Sequence, residues 1–219
     1  MFKNAICAAA MAVLVSGCVS VQNKPLAANA SQALAHKSLA FTEYARPDFA
    51  AGTAGKASFG LLGAVAMIHA GNTIVAENDV KDPAPDISAR LASKLAQDLD
   101  MQLANAPLHE TSDKLGALTA SAASSDYLLD VKTLNWQFIY YPTNWSHYRV
   151  IYAARMRLID AHTKAVVAET MCKAQQPTNE KEAPTHEELL ADHAAKLKDM
   201  LGRVTDGCTD VLAKQVLHI

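Results

Sequence analysis

Tyr127-Leu128-Leu129-Asp130-Val131-Lys132-Thr133-Leu134-Asn135-Trp136-Gln137-Phe138-Ile139-Tyr140 holds two apolar sets that cannot share one side of a regular strand. Tyr127, Leu129 and Val131 have one parity; Leu134, Trp136, Phe138 and Tyr140 have the other. Side chains alternate across a strand with period two, so this change calls for a bulge, a twist or burial of both faces. The irregularity is expected near Thr133. Tyr148 to Ile159 reads as a second strand and Ala165 to Cys172 as a third, joined by the turn-forming Asp160-Ala161-His162-Thr163-Lys164. Short connections favour hairpins, which predicts an antiparallel meander. Upstream, Lys37 to Tyr44 alternates in part and stops near Arg46-Pro47, as a first strand would.

Helical periodicity frames this sheet. Asp82-Pro83-Ala84-Pro85-Asp86 has the acidic and proline residues that suit a helix start. Ile87, Leu91, Leu95, Leu99 and Leu103 then repeat every four residues, predicting one helix of about five turns that ends by Pro107. A weaker, alanine-rich helix is expected from about Asp113 to Ala123. After a polar loop from Gln175 to Pro184, Thr185 and Glu188 have the spacing of a capping box. Leu190, Ala194, Leu197, Leu201, Val204, Cys208 and Val211 follow in steps of four and three, predicting a long terminal helix with one apolar face. The order of elements implies the α+β class: an antiparallel sheet of about four strands, with the C-terminal helix and one or two others packed on it.

Gly52 to Ala76 stands apart, with five of the nine glycines (Gly52, Gly55, Gly60, Gly63 and Gly71) and no charged residue from Ala57 to Ala76. Its densest apolar part, Phe59 to Ile68, is about ten residues long, which suits a buried helix or a re-entrant piece better than a membrane span. The small residues offer a face on which another backbone can lie close. Membrane contact or oligomer packing is one reading; a tightly packed intramolecular helix is the other.

The amino terminus bears on destination. Lys3 precedes an apolar run from Ala5 to Val15 and the small residues Ser16 and Gly17, the layout of a secretory signal too short for a stable span. Val15-Ser16-Gly17-Cys18 resembles the lipobox of bacterial lipoproteins. That resemblance implies acylation of Cys18, cleavage before it, and a further acyl group on the new amino terminus. Several acyl chains, at roughly 0.8 kcal/mol per buried CH₂, anchor a protein firmly where one holds it marginally. In that family an aspartate just after the cysteine retains the product in the inner membrane. Here Val19 and Ser20 follow, which implies the periplasmic face of the outer membrane. The implied organisation is a signal peptide over 1–17, a flexible tether over 18–35 and a single α+β periplasmic domain over 36–219.

On this reading Cys7 leaves with the signal and Cys18 carries lipid. Cys172 and Cys208 remain, an even pair in an oxidising compartment, which suggests a disulfide; two buried free thiols are the alternative. With half of the residues hydrophobic and a formal net charge of −2, the chain has material for a core and none of the basic bias of a nucleic-acid binder.

Chemistry is harder to find. His186 and His193 superficially resemble a zinc-protease pair, yet seven residues on a helix separate them by about 10 Å along its axis, too far to share one ion. The other histidines show no ligand spacing. A nucleophile elbow, a phosphate-binding glycine loop and a dinucleotide fingerprint are all missing from the sequence. No catalytic residue, metal or cofactor is therefore expected. The aromatic run Trp136, Phe138, Tyr140, Tyr141, Trp145, Tyr148 and Tyr152 has core and surface readings. Trp136, Phe138 and Tyr152 are assigned to the core, while Tyr141, Trp145 and Tyr148 in the hairpin are candidates for binding a partner. The order of elements and the strand entry Asp126-Tyr127-Leu128-Leu129 also resemble, loosely, small envelope-assembly lipoproteins of the curli-secretion-channel type. The function expected is a non-catalytic, lipid-anchored envelope component that binds or assembles with envelope proteins or with itself. A module for peptidoglycan or lipid is the first rival, an enzyme without a recognisable motif the second.

Overall fold

The computed structural model describes residues 21–219; Cys18 and the export signal lie outside the described residues. Among the described residues there are seven strands: β1 (Ser38–Tyr44), β2 (Ala50–Gly52), β3 (Gln102–Leu103), β4 (Leu108–Glu110), β5 (Tyr127–Tyr141), β6 (Asn144–Asp160) and β7 (Val166–Gln176). Six α-helices accompany them: α1 (Ala30–Leu34), α2 (Ala54–Ala57), α3 (Gly60–Glu77), α4 (Pro83–Asp98), α5 (Leu115–Ser121) and α6 (His186–Val211). The fold is α+β, as the order of elements predicts. The main sheet runs β3-β1-β5-β6-β7, with β2 on β5 and β4 on β1.

β5, β6 and β7 form the expected antiparallel meander. β1 differs: it pairs parallel to β5, so the sheet is mixed rather than antiparallel. The physical reason is the long helical crossover through α3 and α4, which brings the chain back in the same direction. The parity change in β5 is a bulge. Thr133 faces Ala154 and Asn135 faces Ala153, leaving Leu134 without a partner in the register. One extra residue turns Trp136 and Phe138 to the face already occupied by Leu129 and Val131, and all four are buried in one cluster.

α4 and α6 cover that face. Ile87, Leu91 and Leu95 enter the core as their spacing predicts, but α4 stops at Asp98. Asp100 takes a positive φ of 51°, and Leu103 belongs to β3 rather than to a fifth helical turn. The capping box at Thr185 and Glu188 forms. α6 is not one regular helix, because Asp192, His193 and Ala194 have φ of 50°, 55° and 57°, a left-handed turn between two helical pieces. That turn changes the phase of the apolar stripe, so that Leu189 is buried before it in place of Leu190; at the far end, where the helix passes into its last turn, Leu212 is buried and Val211 is exposed. Leu197, Leu201, Val204 and Cys208 keep the single face. Cys208 is bonded to Cys172 of β7 across a Cα–Cα distance of 5.7 Å, stapling α6 to the sheet. On the opposite sheet face, α5 covers a smaller cluster that includes Leu118, Leu128 and Ile159.

Where a tether was expected, the chain from Asn23 to Leu34 lies on the domain. Lys24 and Glu169 of β7 exchange backbone hydrogen bonds of 2.7 and 2.8 Å, the Leu26 N–H donates to the Val216 carbonyl, and the Leu26 and Leu34 side chains are buried. β7 would otherwise present unpaired backbone groups at the sheet edge, and this segment satisfies two of them.

Two close approaches hold α3. A Cβ on Gly63 would overlap the Lys56 carbonyl oxygen, and one on Gly71 would overlap that of Phe49. Gly71→Ala is therefore expected to push α3 off β2 and cost about 1 to 3 kcal/mol, the range for overpacking a filled site, read as a fall in the urea midpoint. An unchanged midpoint would mean that α3 is not seated against Phe49.

Asp82 caps α4, with Oδ1 accepting from the Ala84 N–H and from the Thr133 hydroxyl at 2.6 Å; Thr133 also meets the Tyr152 hydroxyl at 2.9 Å. Burial raises the Asp82 pKa above its ordinary value. A carboxyl whose folded pKa is raised contributes stability that is full below its unfolded pKa and is lost as pH rises through the folded value. Asp82→Asn keeps the cap acceptor without the charge. The variant should gain on wild type as pH increases from 4 to 7, measured as the difference in urea midpoints. A difference that does not change with pH would contradict this.

Candidate functional site at the hairpin end

The β5–β6 hairpin brings the three aromatic candidates to one end of the sheet and separates their roles. Trp145 is 68% exposed, its indole N–H donating to the Pro142 carbonyl at 3.1 Å. Tyr141 and Tyr148 are each only 6% exposed, which corrects their assignment as surface residues. The Tyr141 hydroxyl donates to the Pro177 carbonyl, and the Arg149 guanidinium lies 5.0 Å from its ring centroid. Tyr148 stands edge-on to Phe138 and to His186, with centroids 5.7 and 5.4 Å away. The signal for Tyr148 was in the sequence: it has the parity of Tyr152, already assigned to the core, and no bulge intervenes. Replacing all three with alanine would remove core packing as well as Trp145, so that substitution cannot isolate binding.

His186 opens α6 beneath this hairpin. Its pKa is held below the ordinary histidine value by burial first and then by Lys56. Lys56 belongs to α2, whose start is capped by the Thr53 side chain accepting from the Lys56 N–H. β2 runs parallel to β5 with Gly52 opposite Ile139, so the chain leaves the sheet toward the hairpin. α2 then folds back against α3 at Gly63. The N-terminal half of α3 projects at the same end as Trp145.

What it projects is apolar. Phe59 is 70% exposed, Leu61 88%, Leu62 79% and Val65 67%, and Ile68 is exposed as well. The inner side of α3, at Gly63, Gly71 and Val75, is buried. Of the two readings that suit its length, a buried helix and a re-entrant piece, this exposure of Phe59 to Ile68 rules out the buried helix. The helix has 18 residues and, among the described residues, is the one helix long and apolar enough to cross a membrane, with only 17% of it buried.

The ionisable groups inside the domain face one another. Asp130, fully buried, accepts from Arg157 Nε and Nη2 at 2.9 and 2.7 Å and from the Tyr44 and Thr42 hydroxyls. Arg155 lies 3.5 Å from the same carboxylate and 3.1 Å from Asp113, which also meets Lys132 at 3.2 Å. Burial and the Asp130 charge push the Tyr44 pKa up, so its hydroxyl stays a donor. Among the described residues no cluster of three or more His, Cys, Asp or Glu side chains could hold a metal ion.

No family model matches the chain, and no curated protein matches it. Solved structures do. The PelC dodecamer from Paraburkholderia phytofirmans is similar at 14% identity and a TM-score of 0.43, over 90% of this chain and 97% of that one. The DUF330 protein XCC0632 from Xanthomonas campestris is similar at 14% identity and a TM-score of 0.37, over 87% and 89%. Lipoprotein GNA1162 from Neisseria meningitidis is similar at 12% identity and a TM-score of 0.29, over 81% and 99%. Identities and scores this low carry no residue role across.

The amino-terminal chain completes the geometry of this end. Lys24 pairs antiparallel with Glu169, and Asn23 accepts from the Thr170 hydroxyl, so the chain traced back from Lys24 heads toward the C-terminal end of β7. That end, at Gln176, pairs with Val150 beside the hairpin.

Proposed function

We propose that this chain is a lipid-anchored component of the bacterial cell envelope that performs no catalysis and binds or assembles with other envelope proteins, held by Cys18 at the periplasmic face of the outer membrane. The observation that carries the reading is the sequence Val15-Ser16-Gly17-Cys18, behind an export signal and six residues ahead of Lys24, the first residue paired to the sheet. At about 3.3 to 3.6 Å per extended residue, those six residues reach at most about 20 Å. An acylated Cys18 would therefore hold the domain against its membrane rather than on a long leash. The Cys172–Cys208 bond accords with an oxidising compartment.

The test is mass spectrometry of native protein beside a Cys18→Ala variant, with the two membranes separated on a density gradient. The expected result is a native form that begins at an acylated Cys18 in the outer-membrane fraction, and a variant that does not. An unacylated, soluble mature protein would overturn the anchor. An acylated protein in the inner-membrane fraction would overturn only the sorting.

Among the rivals, a lipid-contacting role has a specific observation in its favour: the bare apolar half of α3.

A further inference from the structure

We infer that the N-terminal half of α3 inserts into the leaflet that carries the lipid anchor, so that the domain is held at two points; this rests on the anchor reading above. Nine residues from Gly60 to Ile68 rise about 13 Å, close to the roughly 15 Å of hydrocarbon in one leaflet. Within that length the outward side chains are Leu61, Leu62, Val65 and Ile68, led in by the exposed Phe59. Polarity begins just beyond, at His69, Asn72 and Thr73, and Asn72 is tied to the domain by a 2.7 Å bond to Asp48 and by the Phe49 N–H. The change from apolar to polar along one helix face gives an interfacial insertion with a defined stop, not a span. Trp145, exposed at the same end, has the amphipathic ring that favours the headgroup level.

Two observations choose lipid over a second copy of the chain. Two of the small residues that would let another helix approach are already occupied within the molecule, Gly63 by the Lys56 carbonyl and Gly71 by that of Phe49, while Gly60 and Ala64 are exposed. The large side chains exposed beside them, Leu61, Leu62 and Val65, are bulky and aliphatic, suited to fluid acyl chains. The second observation is the course of the amino-terminal segment, which runs from Lys24 along β7 toward this end. The six residues back to Cys18 span up to about 20 Å, the same as the six residues of β7 from Met171 to Gln176. The anchor can therefore reach the membrane at the level where α3 would meet it.

The experiment uses the full acylated protein in vesicles of phosphatidylethanolamine and phosphatidylglycerol, with and without brominated acyl chains. Leu62→Trp and Thr73→Trp each place a reporter on an exposed site, and wild-type emission is subtracted. The expected result is Leu62→Trp emission that is shifted to the blue and lost to bromine, with Thr73→Trp emission retained. Emission that stays red and unquenched, while the protein floats with the vesicles, would overturn the insertion and leave the anchor standing. A blue shift without quenching would also overturn it, because protein rather than lipid would then cover the helix. Protein that does not float with the vesicles removes the anchor and the insertion together.

Discussion

Asp130→Asn is expected to destabilise the domain by about 3 to 5 kcal/mol, the range for removing one partner from a buried ion pair. The native carboxylate is fully buried, receives two N–H groups from Arg157 on Oδ2 and two hydroxyls on Oδ1, and has Arg155 within 3.5 Å. Asparagine preserves the volume but turns an NH₂ group toward donors and removes the charge that compensates both arginines. Arg155 and Arg157 are less than a tenth exposed and cannot recover that charge from water, and Asp113 answers only part of it. Urea unfolding of wild type and variant measures the effect. A loss below about 1 kcal/mol would show that the arginines relax to solvent, as surface pairs do. The reason such a costly cluster is kept is partly geometric: Asp130 of β5, Arg157 of β6 and Tyr44 of β1 tie three neighbouring strands, including the parallel one, in one register.

Loss of the Cys172–Cys208 bond is the second large effect. Cys172→Ser, Cys208→Ser and the double variant should each lose about 2 to 4 kcal/mol, with the double no worse than the sum of one bond. The bond closes a loop of 36 residues that contains the end of β7 and most of α6. Without it the unfolded chain regains that freedom, while α6 keeps Leu197, Leu201 and Val204 in the core. Reductant should impose the same loss on wild type and none on the double variant. Thiol labelling of denatured, unreduced mature protein should find neither cysteine free. Two labelled thiols, or a wild-type midpoint indifferent to reductant, would remove the staple from the account.

Much of the fold was legible because it depends on local periodicity. The bulge beside Thr133 followed from the parity of seven apolar residues, and α4 and the second piece of α6 followed from the three- and four-residue spacing of their leucines. Both are consequences of which side of an element meets the core. What was misjudged depends on neighbours. The four-residue spacing predicts α4 as far as Leu103, because spacing does not reveal that Asp100 turns left-handed and releases the chain into β3. The stripe through Leu190 ignored the turn at Asp192–Ala194, where three non-glycine residues adopt a conformation that spacing cannot signal. Tyr148, a binding candidate whose surface and core readings the sequence leaves open, lies inside, as its parity with Tyr152 indicates. At the candidate site Trp145 is exposed, as its hairpin position suggests, whereas the sequence leaves α3 open between membrane contact or oligomer packing and a packed helix, because composition alone does not distinguish a core helix from an unpartnered one.

By itself, then, the sequence determined the meander, its bulge and the capped terminal helix, since each is written in residues close together in the chain, and it left Cys172 and Cys208 as the pair available for a bond. Only the tertiary structure decided that β1 runs parallel to β5, that Asn23 and Lys24 pair with β7 while Leu26 bonds to Val216, that Tyr141 and Tyr148 are enclosed, and that α3 turns Gly63 and Gly71 inward and its leucines out. The physical reason is common to these cases: the free energy of placing a strand, an aromatic ring or an apolar helix depends on the surface that meets it. That surface comes from residues far away in sequence, or, for the outer half of α3, from outside the chain.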